Sequence, residues 1–144
     1  MIKAACHCGA VRIELAAAPA WVLDCNCTLC RRHGALWAYP GAGQATILKG
    51  PDPAATESYT WGDKELAVQR CRDCGCVTHV QAIDGEPPVI YAVNARMMVG
   101  LDPATTSVRQ KDNGQSGVFW THSDTPPEPG IQGPMPPPGP DDWR

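Results

Sequence analysis

Val11, Ile13 and Leu15 alternate with Arg12 and Glu14, and an apolar–polar period of two predicts a strand with one buried face. Trp21–Asp24, Leu36–Tyr39 and Thr46–Lys49 read as further short strands, the last bounded by Gly43 and by Gly50-Pro51. Glu57–Trp61 and Lys64–Arg70 flank Gly62-Asp63 in the manner of a hairpin. Val77–Ala82 runs to a turn at Asp84-Gly85, and Val89–Asn94 is the clearest strand late in the chain. Nowhere does an apolar stripe of helical period persist. Helical structure is expected only as single turns at Arg31–Gly34, Pro53–Thr56 and Pro103–Thr106. Short strands separated by turn residues predict an all-β architecture.

The chain has 144 residues, enough for one domain. Its apolar content is rich in alanine and includes one phenylalanine, Phe119. Such a core gains little from hydrophobic transfer, so bound metal is an expected second source of folding free energy. Residues 1–124 are assigned to the domain. From Thr125 the composition changes: eight of the fifteen prolines fall between Pro126 and Pro140. A Pro-rich tail, 125–144, is therefore expected to lie outside the sheets. It is read either as a mobile end or as a ligand for an aromatic groove.

Net charge is −3, which disfavours nucleic acid and anionic membrane surfaces as partners. No apolar run approaches the roughly 20 residues that span a bilayer, and the first residues carry no apolar leader. The expected compartment is the cytoplasm, where thiols stay reduced. Eight cysteines in that setting point to metal binding or catalysis rather than disulfides.

The cysteines form three clusters: Cys6-His7-Cys8, Cys25-Asn26-Cys27-Thr28-Leu29-Cys30 and Cys71-Arg72-Asp73-Cys74-Gly75-Cys76. Zinc takes thiolates in a tetrahedron, and a C-x-x-C turn places two sulfurs on one ion. Gly75 permits the tight backbone that turns amide N–H groups toward sulfur. The C-x-C pair, Cys6 and Cys8, can close a four-sulfur site with Cys71 and Cys74 at long range. Cys25, Cys27 and Cys30 then remain as a three-sulfur group, and an open fourth position is what separates a catalytic zinc from a structural one. Arg31, Arg32 and His33 follow Cys30 directly. They either offset the thiolate charge and attract an anionic thiol, or form a solvated turn.

The runs C-H-C-G-A-V-R, D-C-N-C-T-L-C-R-R-H-G-A, C-R-D-C-G and V-N-A-R resemble the GFA family. That family is named for glutathione-dependent formaldehyde-activating enzyme and includes centromere protein V. The resemblance extends over roughly Lys3–Leu101. It implies several short antiparallel coiled sheets around zinc knuckles and two zinc ions. Cys6, Cys8, Cys71 and Cys74 would hold a structural ion, and Cys25, Cys27 and Cys30 an active-site ion. The implied activity joins formaldehyde to glutathione as S-(hydroxymethyl)glutathione, the reverse of a carbon–sulfur lyase reaction.

Cys76 departs from the family pattern and is read as a free thiol, a further ligand for the second ion or a redox partner. His33 and Arg31 are the candidates for acid–base and charge chemistry, His33 because imidazole titrates near neutrality. The resemblance implies that Asn94 and Arg96 lie near the active site, Arg96 facing a substrate carboxylate. Trp37 and Tyr39 would wall the pocket or pack the core. Three functions are weighed on this basis: a zinc-dependent enzyme for a small thiol such as glutathione, a zinc-containing module that binds a protein, and a thiol-based redox or metal-buffering role.

Overall fold

The computed structural model describes residues 1–25, 27–49, 55–60, 64–84, 89–102 and 106–111. The expected turns at Gly62-Asp63, Asp84-Gly85, Pro53–Thr56 and Pro103–Thr106 lie wholly or partly outside those residues, as does the Pro-rich tail.

The all-β expectation holds. The strands are β1 (Ile2–Ala5), β2 (Arg12–Leu15), β3 (Trp21–Cys25), β4 (Leu36–Ala38), β5 (Ala45–Lys49) and β6 (Thr56–Thr60). They continue as β7 (Leu66–Cys71), β8 (Val77–Ala82), β9 (Ile90–Asn94), β10 (Met98–Val99) and β11 (Ser107–Lys111). One short helix, α1 (Thr28–His33), and a 3₁₀ turn, Ala95–Met97, interrupt them. Four strands form one sheet in the order β10-β1-β2-β5, and seven form the other in the order β11-β3-β4-β9-β8-β7-β6. Pairing is antiparallel except between β11 and β3, which run parallel with Val108 beside Val22 and Arg109 beside Leu23.

Strand alternation assigns neighbouring residues to opposite faces, and the large sheet uses both. Val22, Ala38 and Val93 join Ile2, Ala4, Val11, Ile13 and Leu15 in a core cluster shared with the small sheet. Their immediate neighbours Leu23, Trp37 and Ala92 join Val68 and Val80 in a second cluster on the other face. The cysteines divide along the same line. Cys6 and Cys71 are buried in the first cluster with Cys74 and Cys76 packed against it. Cys25 is buried in the second, with Cys27 and Cys30 packed against it.

Between β7 and β8 the core is polar. His79 is 1% exposed and Thr78 and Gln69 are also buried. The Thr78 hydroxyl donates to the Gln69 carbonyl at 3.2 Å and lies 2.9 Å from Nδ1 of His79. The Gln81 side chain meets Nε2 at 3.2 Å. Burial holds the His79 imidazole below its ordinary pKa, against the opposing pull of Gln81, because a charged ring would lose its hydration. An unfolded chain therefore binds a proton at His79 at higher pH than the folded one. Stability from this residue is complete above the unfolded value near 6.5 and is lost as pH falls below it. Denaturant midpoints of the wild type should decline between pH 7 and pH 5 by up to about 1.4 kcal/mol per pH unit. His79→Gln should flatten that slope. An equal slope in both proteins would assign the pH dependence elsewhere.

Candidate metal centres

The first group is built by two similar turns. After β1 the chain reverses through Cys6–Val11: the Cys6 amide donates to the Val11 carbonyl at 3.0 Å and the Gly9 amide to the Cys6 carbonyl at 3.0 Å. After β7 it reverses through Cys71–Cys76: the Cys71 amide donates to the Cys76 carbonyl at 2.8 Å and the Gly75 amide to the Cys71 carbonyl at 2.9 Å. Gly9 and Gly75 stand at φ of 76° and 72°, the left-handed region that residues with a Cβ resist. The expectation for Gly75 is met in this way. The Val11 amide points at Cys6 Sγ, 3.3 Å away, and the Cys76 amide also reaches the Cys74 thiol.

These turns bring Cys6, Cys8, Cys71 and Cys74 together with all four sulfurs within 4.8 Å of one another. Cys6 Sγ and Cys8 Sγ are 3.6 Å apart, and so are Cys8 Sγ and Cys71 Sγ, although 63 residues separate the latter pair in sequence. That distance is far beyond a disulfide bond. It is close to the edge of a tetrahedron of sulfurs around an ion at about 2.3 Å, which is about 3.8 Å.

The second group is local. β3 ends at Cys25, and α1 begins directly after Cys27, which caps the helix by accepting from the Cys30 amide at 3.3 Å. The helix thus starts three residues before the expected Arg31, because a thiol serves as its cap. It ends at Gly34, φ 61°. Arg31, Arg32 and His33 occupy the last turn, where cationic side chains oppose the negative end of the helix dipole. The sulfurs of Cys25, Cys27 and Cys30 lie within 4.8 Å of one another. Among the described residues no fourth Cys, His, Asp or Glu joins them. Cys76 is in neither group. It packs on the first core cluster and its Sγ faces the Val77 carbonyl at 3.5 Å, so it does not close the three-sulfur site.

The protonation pattern shows why each group fits a cation. In the second, the Cys25 and then the Cys30 thiol donate to Cys27 and hold it at about 2 against burial. Cys25 is raised, first through its bond with Cys27, and Cys30 is pushed far up by Cys25 and Cys27. One negative charge is stable, and the next is opposed by the first. In the first group the Cys8 amide leads in lowering Cys74 to about 6. For Cys8 the Ala10 amide lowers the thiol, but desolvation and the thiols of Cys71, Cys6 and Cys74 outweigh it and raise it to about 12. Full ionisation of either group requires a positive charge among the sulfurs, and a soft divalent ion supplies it.

The other candidate residues are distributed around the second group. Trp37 is 2% exposed, and its indole N–H donates to Cys30 Sγ at 3.3 Å. It therefore supports a ligand from beneath. His33 is exposed at the end of α1; partial burial lowers its imidazole pKa and the Cys27 thiolate pulls the other way. Asn94 is buried, donates to the Val77 carbonyl at 2.8 Å and accepts from the Arg96 amide at 3.1 Å, capping the 3₁₀ turn. Arg96 is exposed on that turn, which packs against β4. Sequence reasoning missed Trp37 as a hydrogen-bond partner of sulfur, since only the pairing of β3 with β4 discloses it. It missed Arg109 altogether, which lies on β11 with its guanidinium 4.3 Å above the Trp21 ring.

The family model for glutathione-dependent formaldehyde-activating enzyme matches residues 1–110. Among solved structures, a crystal structure of a Rhodobacter sphaeroides protein is similar at 33% identity and a TM-score of 0.58, covering 71% of this chain and 92% of that one.

Two substitutions test the groups. Cys74→Ala should unfold the chain or destabilise it by several kcal/mol, because metal binding at a long-range clip is folding free energy; circular dichroism with and without chelator reads this, and a fully folded, metal-free variant would refute it. Trp37→Phe should leave the strands intact while weakening metal at the second group about 10- to 100-fold, as followed by competition with a chromogenic chelator. Unchanged affinity would reduce the indole to core packing.

Proposed function

The chain belongs to the family of glutathione-dependent formaldehyde-activating enzymes, and from that premise we propose that it is a zinc-dependent enzyme of carbon–sulfur lyase type acting on a small thiol or its aldehyde adduct. Glutathione and S-(hydroxymethyl)glutathione are the model pair. The observation that carries the reading is the difference between the two groups: four converging sulfurs in one, three in the other. Four thiolates complete a tetrahedron around a structural zinc, whereas three leave one position for a ligand from solution.

Zinc held by Cys25, Cys27 and Cys30 would supply the positive charge that favours the thiolate form of a substrate thiol at neutral pH. The remaining roles fall to side chains. The Cys30 amide and the Trp37 indole hold Cys27 and Cys30 in place. His33, on the last turn of the same helix, takes the substrate thiol proton. The thiolate sulfur then bonds to the aldehyde carbon, the carbonyl electron pair moves to oxygen, and that oxygen receives the proton to give the hydroxymethyl group. Arg31 adds positive charge beside the developing alkoxide. Asn94 acts by positioning the turn that presents Arg96 to a substrate carboxylate. The free cysteines suit the reducing cytoplasm.

Calorimetric titration of the zinc-loaded protein with glutathione should give saturable binding at one site. Cys27→Ser should remain folded, lose one of two zincs and lose glutathione binding, because this cluster closes only a short loop and its loss costs the fold little. Glutathione binding undiminished in Cys27→Ser would overturn the assignment of the second group as the thiol site.

A further inference from the structure

The face of the large sheet that carries the second cysteine group also carries an aromatic row ending in an arginine. On β3, Trp21, Leu23 and Cys25 point to one face, since alternate residues share a face. Trp21 packs against the same core cluster as Cys25, Cys27 and Cys30. The Trp21 and Tyr39 ring centroids are 5.8 Å apart, and Tyr39 meets Tyr91 edge-on at 5.5 Å. Tyr39 and Tyr91 remain 37% and 50% exposed. Arg109 pairs with Leu23 in register, so its side chain leaves the sheet on this face, and its guanidinium covers the Trp21 ring at 4.3 Å.

Arg109 is unusual among the described residues in how little the fold asks of it. Among the described residues its Nε is buried without a hydrogen-bond partner and no carboxylate forms an ion pair with it. By contrast Arg70 and Arg72, on the far part of the same sheet, both pair with Glu57. A buried unpartnered donor on a cation is costly to the folded state and marks a place where function sets the residue. Stacking on Trp21 fixes the plane of the guanidinium, and a fixed planar fork matches a carboxylate.

We propose that Arg109, stacked on Trp21, is a carboxylate subsite that selects thiols bearing a carboxylate. This rests on the reading of the second group as a thiol site, and it assigns to β11 a part in specificity separate from that of Arg96.

Calorimetry on the zinc-loaded full chain, with glutathione, glutathione diethyl ester and 2-mercaptoethanol, tests it. The wild type should bind glutathione at least tenfold more tightly than the diester. Arg109→Gln should weaken glutathione at least fivefold, leave the diester and 2-mercaptoethanol within twofold, and so narrow the ratio. Arg109→Lys, which keeps the charge but not the fork, should fall between. Circular dichroism and a zinc content of two ions show that each variant is folded. The subsite is overturned if the wild type does not discriminate between acid and ester, or if the ratio is unchanged in Arg109→Gln. Both results leave thiol binding itself standing. If none of the three thiols binds the wild type, the thiol-site reading falls and the subsite with it.

Discussion

Four thiols from two distant segments of the chain meet within 4.8 Å, and they cannot all be ionised there without a cation. Cys8 Sγ lies against Cys71 Sγ across 63 residues of sequence, so whatever ion the group holds closes a very long loop. Most of the fold depends on that closure. The Cys6–Val11 turn joins β1 to β2 and thereby carries the small sheet, and the Cys71–Cys76 turn joins β7 to β8 in the large one. The apolar residues between the sheets are small or of medium size, chiefly valine, alanine and isoleucine. They gain modestly from burial. An ion held by the four sulfurs at the edge of this core would supply the long-range order that larger side chains give elsewhere.

The large sheet keeps the two metal groups apart. Adjacent residues on β3, β4 and β9 face opposite ways, so Val22, Ala38 and Val93 serve the clip side while Leu23, Trp37 and Ala92 serve the other. Chemistry on the second face can therefore change without disturbing the first. Trp37 shows the economy of the arrangement: it fills the second core cluster and also orients Cys30. A ligand held by a core residue is rigid, and rigidity is what a metal site with an incomplete protein shell requires.

Much of this was legible in the sequence where the signal is local. Alternation at Val11–Leu15 marks a strand because one face is buried, and cysteine clusters at ligand spacing mark candidate metal sites whatever the surrounding fold. Signals that depend on distant partners were silent. β1 reads Ile-Lys-Ala-Ala and β11 reads Ser-Val-Arg-Gln-Lys; neither has the β-branched or aromatic run that stands out alone. Each is a strand because it pairs, β1 with both β2 and β10, and β11 in parallel with β3. The same limit hid the bond from Trp37 to Cys30 and the stacking of Arg109 on Trp21. Both depend on which strands are neighbours, and register across a sheet is not written in spacing along the chain.

The positions of the two groups along the chain also suit them to different roles. Cys25, Cys27 and Cys30 lie within six residues, and α1 is already fixed at its first turn by the Cys30 amide on Cys27 and at its last by Gly34. An ion there adds little loop closure, so the fold tolerates a shell that exchanges one position with solvent. The same exchange at the first group would release the link between Cys8 and Cys71 each time a ligand left. A site that must open and a site that must not are thus separated by loop length as well as by the sheet between them. Trp21 packs on the side that carries the three-sulfur group. Residues of the edge strand β11 that face this side, such as Arg109, can vary without touching the clip or the core between the sheets.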